Sequence, residues 1–90
     1  MNKDVAVVLF NNINKYNVDL EIPLDITAND LVYALNKAYN LGIDISNIKE
    51  CYLKSENPIA LLRGNKTLRE FGIRNGSIIL FRSEVQDDEE

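Results

Sequence analysis

The sequence predicts an α+β domain with five strands, one main helix and a short helical turn, and three features carry that prediction. Residues 16–22 alternate between apolar and polar side chains, the period of a half-buried strand. Apolar residues at helical spacing follow a capping threonine, Thr27. The segment 67–81 combines a capped helical turn, two glycines and an apolar strand. Ninety residues suffice for one such domain around a single core.

Two strands joined by a turn open the chain. The apolar run from Val5 to Phe10 predicts a strand with both faces partly covered. The next stretch is crowded with asparagines, as is typical of a hairpin turn: Asn11, Asn12 and Asn14. The alternating stretch 16–22 predicts the second strand, and Pro23 ends it because proline donates no ladder hydrogen bond.

The main helix is predicted to begin after Thr27, with Asp30 three residues later in the arrangement of a capping box. Gly42 is placed to end the helix in the left-handed conformation. The expected core side chains of this helix recur at helical spacing: Leu31, Ala34, Leu35, Ala38 and Leu41.

The second half of the chain predicts three more strands and the helical turn. Residues 51–53 and 59–62 are the third and fourth strands. Thr67 and Glu70 form a second capping-box pattern, and Gly72 ends that turn. An Asn-Gly turn then leads into the last strand, residues 77–82. The predicted element order is therefore β-β-α-β-β-(short helix)-β.

Acidic residues are concentrated at the end of the sequence. Five of the fourteen lie in the last seven positions, and the other nine face ten basic residues, so the net charge of −4 comes from this end. A run of like charges does not offset the entropy lost on ordering. We therefore expect a folded domain over residues 1–82 and a disordered acidic tail over residues 83–90.

Basic residues cluster ahead of this tail. Between positions 63 and 82 there are five of them, opposed in that stretch only by Glu70. A phosphate-binding patch and a solvated surface screened by the tail both fit this cluster. Aromatic and basic residues are not interleaved, so we expect no nucleic-acid partner. We hypothesise that the tail folds back over a secondary basic patch formed by Arg63, Lys66, Arg69 and Arg74.

The residues needed for most enzymatic chemistry are missing from the sequence. It contains no histidine, which excludes histidine-based acid–base catalysis, Cys–His or Ser–His nucleophiles and histidine-ligated metals. Cys51 is the single cysteine, expected to be buried, and fits a reducing compartment. No glycine-rich phosphate loop is present. We expect a non-enzymatic protein without catalytic, cofactor-binding or metal-binding residues and without cofactors.

The sequence also predicts a cytoplasmic location. Its longest apolar run, Val5 to Phe10, is far shorter than the roughly 20 residues of a membrane helix. The first residues lack the basic start and apolar core of a signal peptide. We therefore expect no direct membrane insertion.

The element order and two short motifs resemble ubiquitin-like β-grasp domains. Residues 20–22, Leu-Glu-Ile, are similar to the LEV segment of ubiquitin. Residues 67–73 carry a Thr-Leu-x-x-Phe-Gly-Ile pattern similar to its TLxxYNI segment. The resemblance covers about positions 5–82 and implies a mixed sheet wrapped around one main helix.

Two further segments resemble the small YukD/EsaB-type ubiquitin-like proteins of bacterial type VII secretion. They are Val-Asp-Leu-Glu-Ile-Pro at 18–23 and the glycine-rich approach to the last strand at 72–80, where Ser77 replaces the commoner aspartate. This resemblance implies a cytoplasmic accessory or regulatory component that contacts other proteins of the secretion machinery. A general ubiquitin-like adaptor of another bacterial complex, unrelated to secretion, remains the alternative.

Ubiquitin-type conjugation and sulfur-carrier chemistry use a chain that ends in Gly-Gly. The sequence contains no Gly-Gly pair and ends in Glu89-Glu90. We therefore expect binding without conjugation.

The strands suggest where a partner binds. Alignment with the ubiquitin core turns Ile79 and Phe81 inward, so Ile78 and Leu80 are expected to point outward. With Val5, Val7 and Leu9 taken as inward, the expected protein-binding outer sheet face consists of Ala6, Val8, Tyr52, Ile78 and Leu80. Incidental exposure of these residues is the alternative, and a homodimer through the same face is possible.

The main helix offers a second candidate surface. Val32, Asn36 and Tyr39 form a stripe beside the core stripe. We favour the interpretation that Val32 and Tyr39 complete the edge of the core.

Overall fold

The computed structural model describes residues 4–13 and 15–82 as one five-stranded mixed sheet packed against a helix. Its strands are β1 (Val5–Asn12), β2 (Tyr16–Pro23), β3 (Leu53–Glu56), β4 (Ala60–Leu62) and β5 (Ile78–Phe81). Its helices are α1 (Ala28–Tyr39) and α2 (Leu68–Phe71). The strand order is β2-β1-β5-β3-β4, with β1 and β5 parallel and the other pairs antiparallel. The predicted β-grasp architecture is confirmed.

One core joins the sheet to α1. Leu31, Val32 and Leu35 of the helix are buried against Phe10 and Ile79 of the central strands. The ring of Tyr39 packs at the edge of this core, 5.2 Å from that of Phe10 between centroids. The interpretation of Val32 and Tyr39 as core residues is therefore confirmed, and the helix stripe is not a free surface.

The helix α1 ends earlier than predicted. Asn40, with a φ of 56°, takes the left-handed cap position expected for Gly42, and its backbone N–H donates to the carbonyl of Asn36. The Asn36 side chain also accepts from the backbone N–H of Ile43 and donates to its carbonyl, at 2.9 and 3.0 Å. These bonds tie the loop after α1 back to the last turn of the helix. Ala34 and Ala38, predicted to lie in the core, are exposed.

The strand boundaries also move. β1 continues two residues past Phe10, because both Asn11 and Asn12 pair with β2 on one side and β5 on the other. These tertiary ladder bonds override the turn preference of asparagine. β3 begins at Leu53, where the prediction ended that strand, and extends to Glu56 through its pairing with β5.

Both predicted capping boxes are present. The hydroxyl oxygens of Thr27 and Thr67 accept from the backbone N–H groups of Asp30 and Glu70, each at 3.1 Å. Thr27 and Thr67 also pair across an isolated antiparallel bridge, which ties the starts of the two helices together. Gly72 caps the end of α2 at a φ of 86°, as predicted.

The predicted acidic tail, residues 83–90, lies outside the described residues. Within residues 4–13 and 15–82, neither helix has the length and apolar character required to cross a membrane.

Candidate functional site: the outer face of the sheet

β5 presents two different environments on alternate residues. Ile79 is fully buried toward α1, whereas Ile78 and Leu80 are partly exposed on the opposite face of the sheet. This alternation follows from the two-residue period of a strand. The structure thus places Ile78 and Leu80 on the outward side.

The expected orientation of β1 is wrong. Ala6 and Val8 are each only 1% exposed and belong to the core, whereas Val5 and Val7 are each 45% exposed. The physical reason is the pairing of Phe10 with Ile79, which turns both side chains inward and carries the alternate residues Ala6 and Val8 with them. Ala6 and Val8 are therefore removed from the candidate binding face.

Other residues take the places of Ala6 and Val8. Leu9 is partly exposed and pairs with Ile78 in the parallel register of β1 and β5. Leu61 on β4 is 44% exposed and pairs with Lys54, which in turn pairs with Leu80. We call the outward apolar set the outer face; it consists of Val5, Val7, Leu9, Tyr52, Leu61, Ile78 and Leu80.

Charged side chains border the outer face. On one flank, Asp19 and Glu21 of β2 pair with Leu9 and Val7 of β1. On the other flank, Glu56 of β3 pairs with Ile78. The outer face is therefore centred on an apolar strip of β1 and β5 between charged residues of β2 and β3, and Leu61 on β4 lies beyond Lys54.

A groove of about 670 Å³ opens beside Leu80, and we call it the Tyr52 groove. Tyr52 itself is partly buried, and it lies in the chain between the buried residues Cys51 and Leu53. The apolar lining of the groove includes Ile13, Leu41, Ile43, Tyr52, Leu80 and Phe81. Its charged lining consists of Lys49, Glu50, Lys54 and Arg82. The groove and the outer face share Tyr52 and Leu80.

The basic patch predicted from the sequence is partly neutralised. Nη2 of Arg69 lies 2.8 Å from Oδ2 of Asp4 and 2.9 Å from Oδ1 of Asp25. The pKa of Arg69 is raised, mainly by its hydrogen bond to Asp25 and secondly by its hydrogen bond to Asp4. Two acids from outside the stretch 63–82 therefore meet Arg69 in the fold, in addition to Glu70 within it.

The other members of the basic patch differ in their surroundings. Nη2 of Arg74 donates to Oδ1 of Asn57 at 2.8 Å. Nζ of Lys66 lies 4.9 Å from the centroid of the Phe71 ring, within the range of a cation–π contact. Arg63 is exposed. Arg69, Arg74 and Lys66 thus each contact a different neighbour in the fold.

The described residues offer few groups for covalent or metal chemistry. Cys51 is buried at 7% exposure, as expected. Among residues 4–13 and 15–82, no three acidic or cysteine side chains are arranged to hold a metal ion. In the loop after α1, hydrogen bonds from the hydroxyl and backbone N–H of Ser46 lower the pKa of Asp44.

A family model described as "WXG100 protein secretion system (Wss), protein YukD" matches residues 4–80. The chain belongs to the YukD family. The match includes both segments, 18–23 and 72–80, whose resemblance to that family the sequence shows. No curated protein matches this YukD-family chain significantly.

Solved structures similar to this YukD-family chain include three ubiquitin-like domains. The C-terminal ubiquitin-like domain of mouse tubulin-specific chaperone e superposes with a TM-score of 0.71 at 13% identity, covering 99% of this chain and 96% of that one. A ubiquitin-like domain from tubulin-binding cofactor B gives 0.69 at 16% identity, covering 98% and 99%. The UBL domain of Plasmodium falciparum Dsk2 gives 0.57 at 19% identity, covering 86% and 97%. These similarities show a shared fold.

Family membership and fold together make the chain a ubiquitin-like module of a YukD-containing secretion system.

Proposed function

We propose that this protein is a non-catalytic binding module that acts in the cytoplasm as an accessory or regulatory component of a type VII secretion system. It binds other proteins of that machinery through the outer face. The observation that carries the binding role is the apolar strip formed by Leu9, Ile78 and Leu80 on the side of the sheet away from α1.

The anatomy of the outer face supports this role. Protein interfaces combine an apolar centre with a polar rim. Here Leu9 and Ile78 pair at the centre, while Asp19 on β2 and Glu56 on β3 lie on either side. Rim charges of this kind favour the correct orientation of a partner more than they add affinity. Tyr52 supplies a residue type enriched at binding hot spots.

The available chemical groups support a non-catalytic role. The sequence has no histidine to activate a nucleophile, and the thiol of Cys51 is buried. A buried structural cysteine is inert because reactants do not reach its sulfur. Recognition therefore accounts for the surface features better than catalysis does.

Affinity capture from the native host tests this proposal. The wild-type protein is compared with Leu80→Glu and with Tyr33→Glu, which adds the same charge at a 50% exposed position on α1. We expect the wild type and Tyr33→Glu to retain secretion components. Leu80→Glu should weaken their binding by at least about 2 kcal/mol, as truncation of a hot spot does.

Two outcomes would contradict the proposal. Equal retention by all three proteins would move the binding site away from the outer face. Capture of nothing but the protein itself would make the outer face a homodimer interface rather than a site for the secretion machinery.

A further inference from the structure

We propose that the acidic segment 83–90 of this chain binds in the Tyr52 groove and covers Leu80. This inference rests on the proposed function, because the segment then competes with the partner for part of the same outer face. It differs from the sequence-based hypothesis, in which the acidic tail covers Arg63, Lys66, Arg69 and Arg74.

Charge complementarity favours this occupant. The lining of the groove carries three cations, Lys49, Lys54 and Arg82, against one carboxylate, Glu50. All ion pairs among residues 4–13 and 15–82 involve Arg69, so these three cations have no carboxylate partner within the described part of the chain. Five of the eight residues in segment 83–90 are acidic.

The apolar lining also has a counterpart in this segment. Leu41, Ile43 and Leu80 line the groove between its charged residues. Segment 83–90 contains one aliphatic residue, Val85, with acidic residues on both sides of it. An acidic peptide with one aliphatic anchor matches an apolar groove with a cationic lining.

The attachment point makes the groove easy to reach. Arg82 lines the groove and immediately precedes the segment. An extended chain spans at most about 3.5 Å per residue, so Val85 can lie up to about 10 Å from Arg82 and the last residue up to about 28 Å. Because Arg82 is itself part of the groove lining, the segment begins at the groove.

The basic patch is a poorer target for the same segment. Arg74 precedes β5 and Arg82 follows it, so the segment would have to reverse direction and run back along the whole strand. At the end of that path Arg69 is already paired with Asp4 and Asp25. The patch therefore lies at a greater chain distance from the segment, and one of its four cations is already paired.

Binding of the segment in the groove lowers the apparent affinity of the protein for its partner. A tethered segment acts at an effective concentration in the millimolar range, so a weak contact suffices to occupy the groove. If the segment fills the groove in about nine molecules of ten, partner affinity falls roughly tenfold. Only partners that bind the outer face tightly displace it.

Amide chemical shifts of the full chain test the inference without any partner. In one variant the four last acids are neutralised as Asp87→Asn, Asp88→Asn, Glu89→Gln and Glu90→Gln. We expect the amide resonances of Tyr52, Lys54 and Leu80 to shift in this variant. High salt should produce the same shifts in the wild type, because mobile ions screen such attraction beyond about 8 Å at physiological ionic strength.

Shifts confined to residues 82–90 would overturn the proposal, and so would shifts centred on Arg63 and Arg74 instead of the groove. A control that neutralises Arg63 and Lys66 as Arg63→Gln and Lys66→Gln should leave the groove resonances unchanged.

A charge-reversal experiment tests the binding of the segment in a second way. Lys54→Glu should produce the same shifts of the Tyr52 resonance as neutralisation of the segment. Adding Asp87→Lys and Asp88→Lys to that variant should return the resonance toward its wild-type position. A failure of this rescue would contradict binding through Lys54.

Partner capture then separates the two proposals. With a partner identified, neutralisation of the segment should raise its affinity by up to about tenfold. An unchanged partner affinity would contradict the proposed competition between the segment and the partner for the outer face. If no secretion component binds at all, the proposed function fails, while the chemical shifts still decide whether the segment occupies the groove.

Discussion

Ile79 and Leu80 are consecutive residues of β5 in opposite environments: Ile79 is completely buried under α1, and Leu80 is partly exposed beside Lys54. This difference shows that the outer face lies on the side of β5 that carries Leu80, opposite the side that packs against α1. The same substitution at the two positions should therefore have different consequences.

Ile79→Glu should destabilise the fold by about 3–5 kcal/mol, because it leaves an uncompensated charge in the core. Leu80→Glu should preserve the fold, because its carboxylate reaches water and lies beside Lys54. Circular dichroism and urea denaturation measure both effects. Unfolding of Leu80→Glu alone would show that the faces of β5 are reversed.

The orientation of β1 predicts a second contrast. Val8→Ala should destabilise the protein by about 1.5 kcal/mol or more, because two methylene equivalents leave a fully buried site at roughly 0.8 kcal/mol each. Val7→Ala removes the same atoms from a 45% exposed site and should stay within about 0.5 kcal/mol. Free energies of unfolding from denaturant titration provide the comparison. Equal losses would contradict the observed register of β1 with β5.

The cap at Gly72 predicts a third contrast. Its φ of 86° lies in the left-handed region, and an added Cβ would meet only Pro58 Cγ at an ordinary 3.6 Å. Gly72→Ala should therefore cost about 1–2 kcal/mol through backbone strain rather than through a clash. Gly72→Asn should cost less, because asparagine tolerates this conformation. Thermal denaturation tests the order, and an equal loss for both variants would point to steric crowding instead.

The loop after α1 predicts a titration effect. Hydrogen bonds from Ser46, first from its hydroxyl and then from its backbone N–H, lower the pKa of Asp44 below its usual 3.8. The folded state therefore gains stability from this carboxylate above that usual pKa and loses it as the pH falls through the lowered value. Ser46→Ala should raise the pKa of Asp44 toward 3.8 in an NMR titration. An unchanged pKa would show that the hydroxyl is not the main cause.

Much of the architecture could be predicted because local sequence and tertiary structure agree there. Thr27 and Thr67 each cap a helix as their spacing to Asp30 and Glu70 indicates. Gly72 occupies the left-handed position expected of it. The family and the ubiquitin-like order were visible in short segments that the family match includes.

The candidate site was only partly predictable. β1 is apolar on both faces, so alternation alone does not show which face is buried. The one local signal is Phe10, the largest side chain of the strand, whose burial fixes Ala6 and Val8 inward. The pairing of Arg69 with Asp4 and Asp25 joins residues far apart in sequence and could be found only in the fold.

The central claim is that the outer face contacts the secretion machinery, and photo-cross-linking in the native host tests it most directly. A photoreactive residue is placed at position 80 in one protein and at position 33, on the exposed side of α1, in another. The account predicts a cross-link to a secretion component from position 80 and none from position 33. A cross-link to such a component from position 33 alone would contradict it.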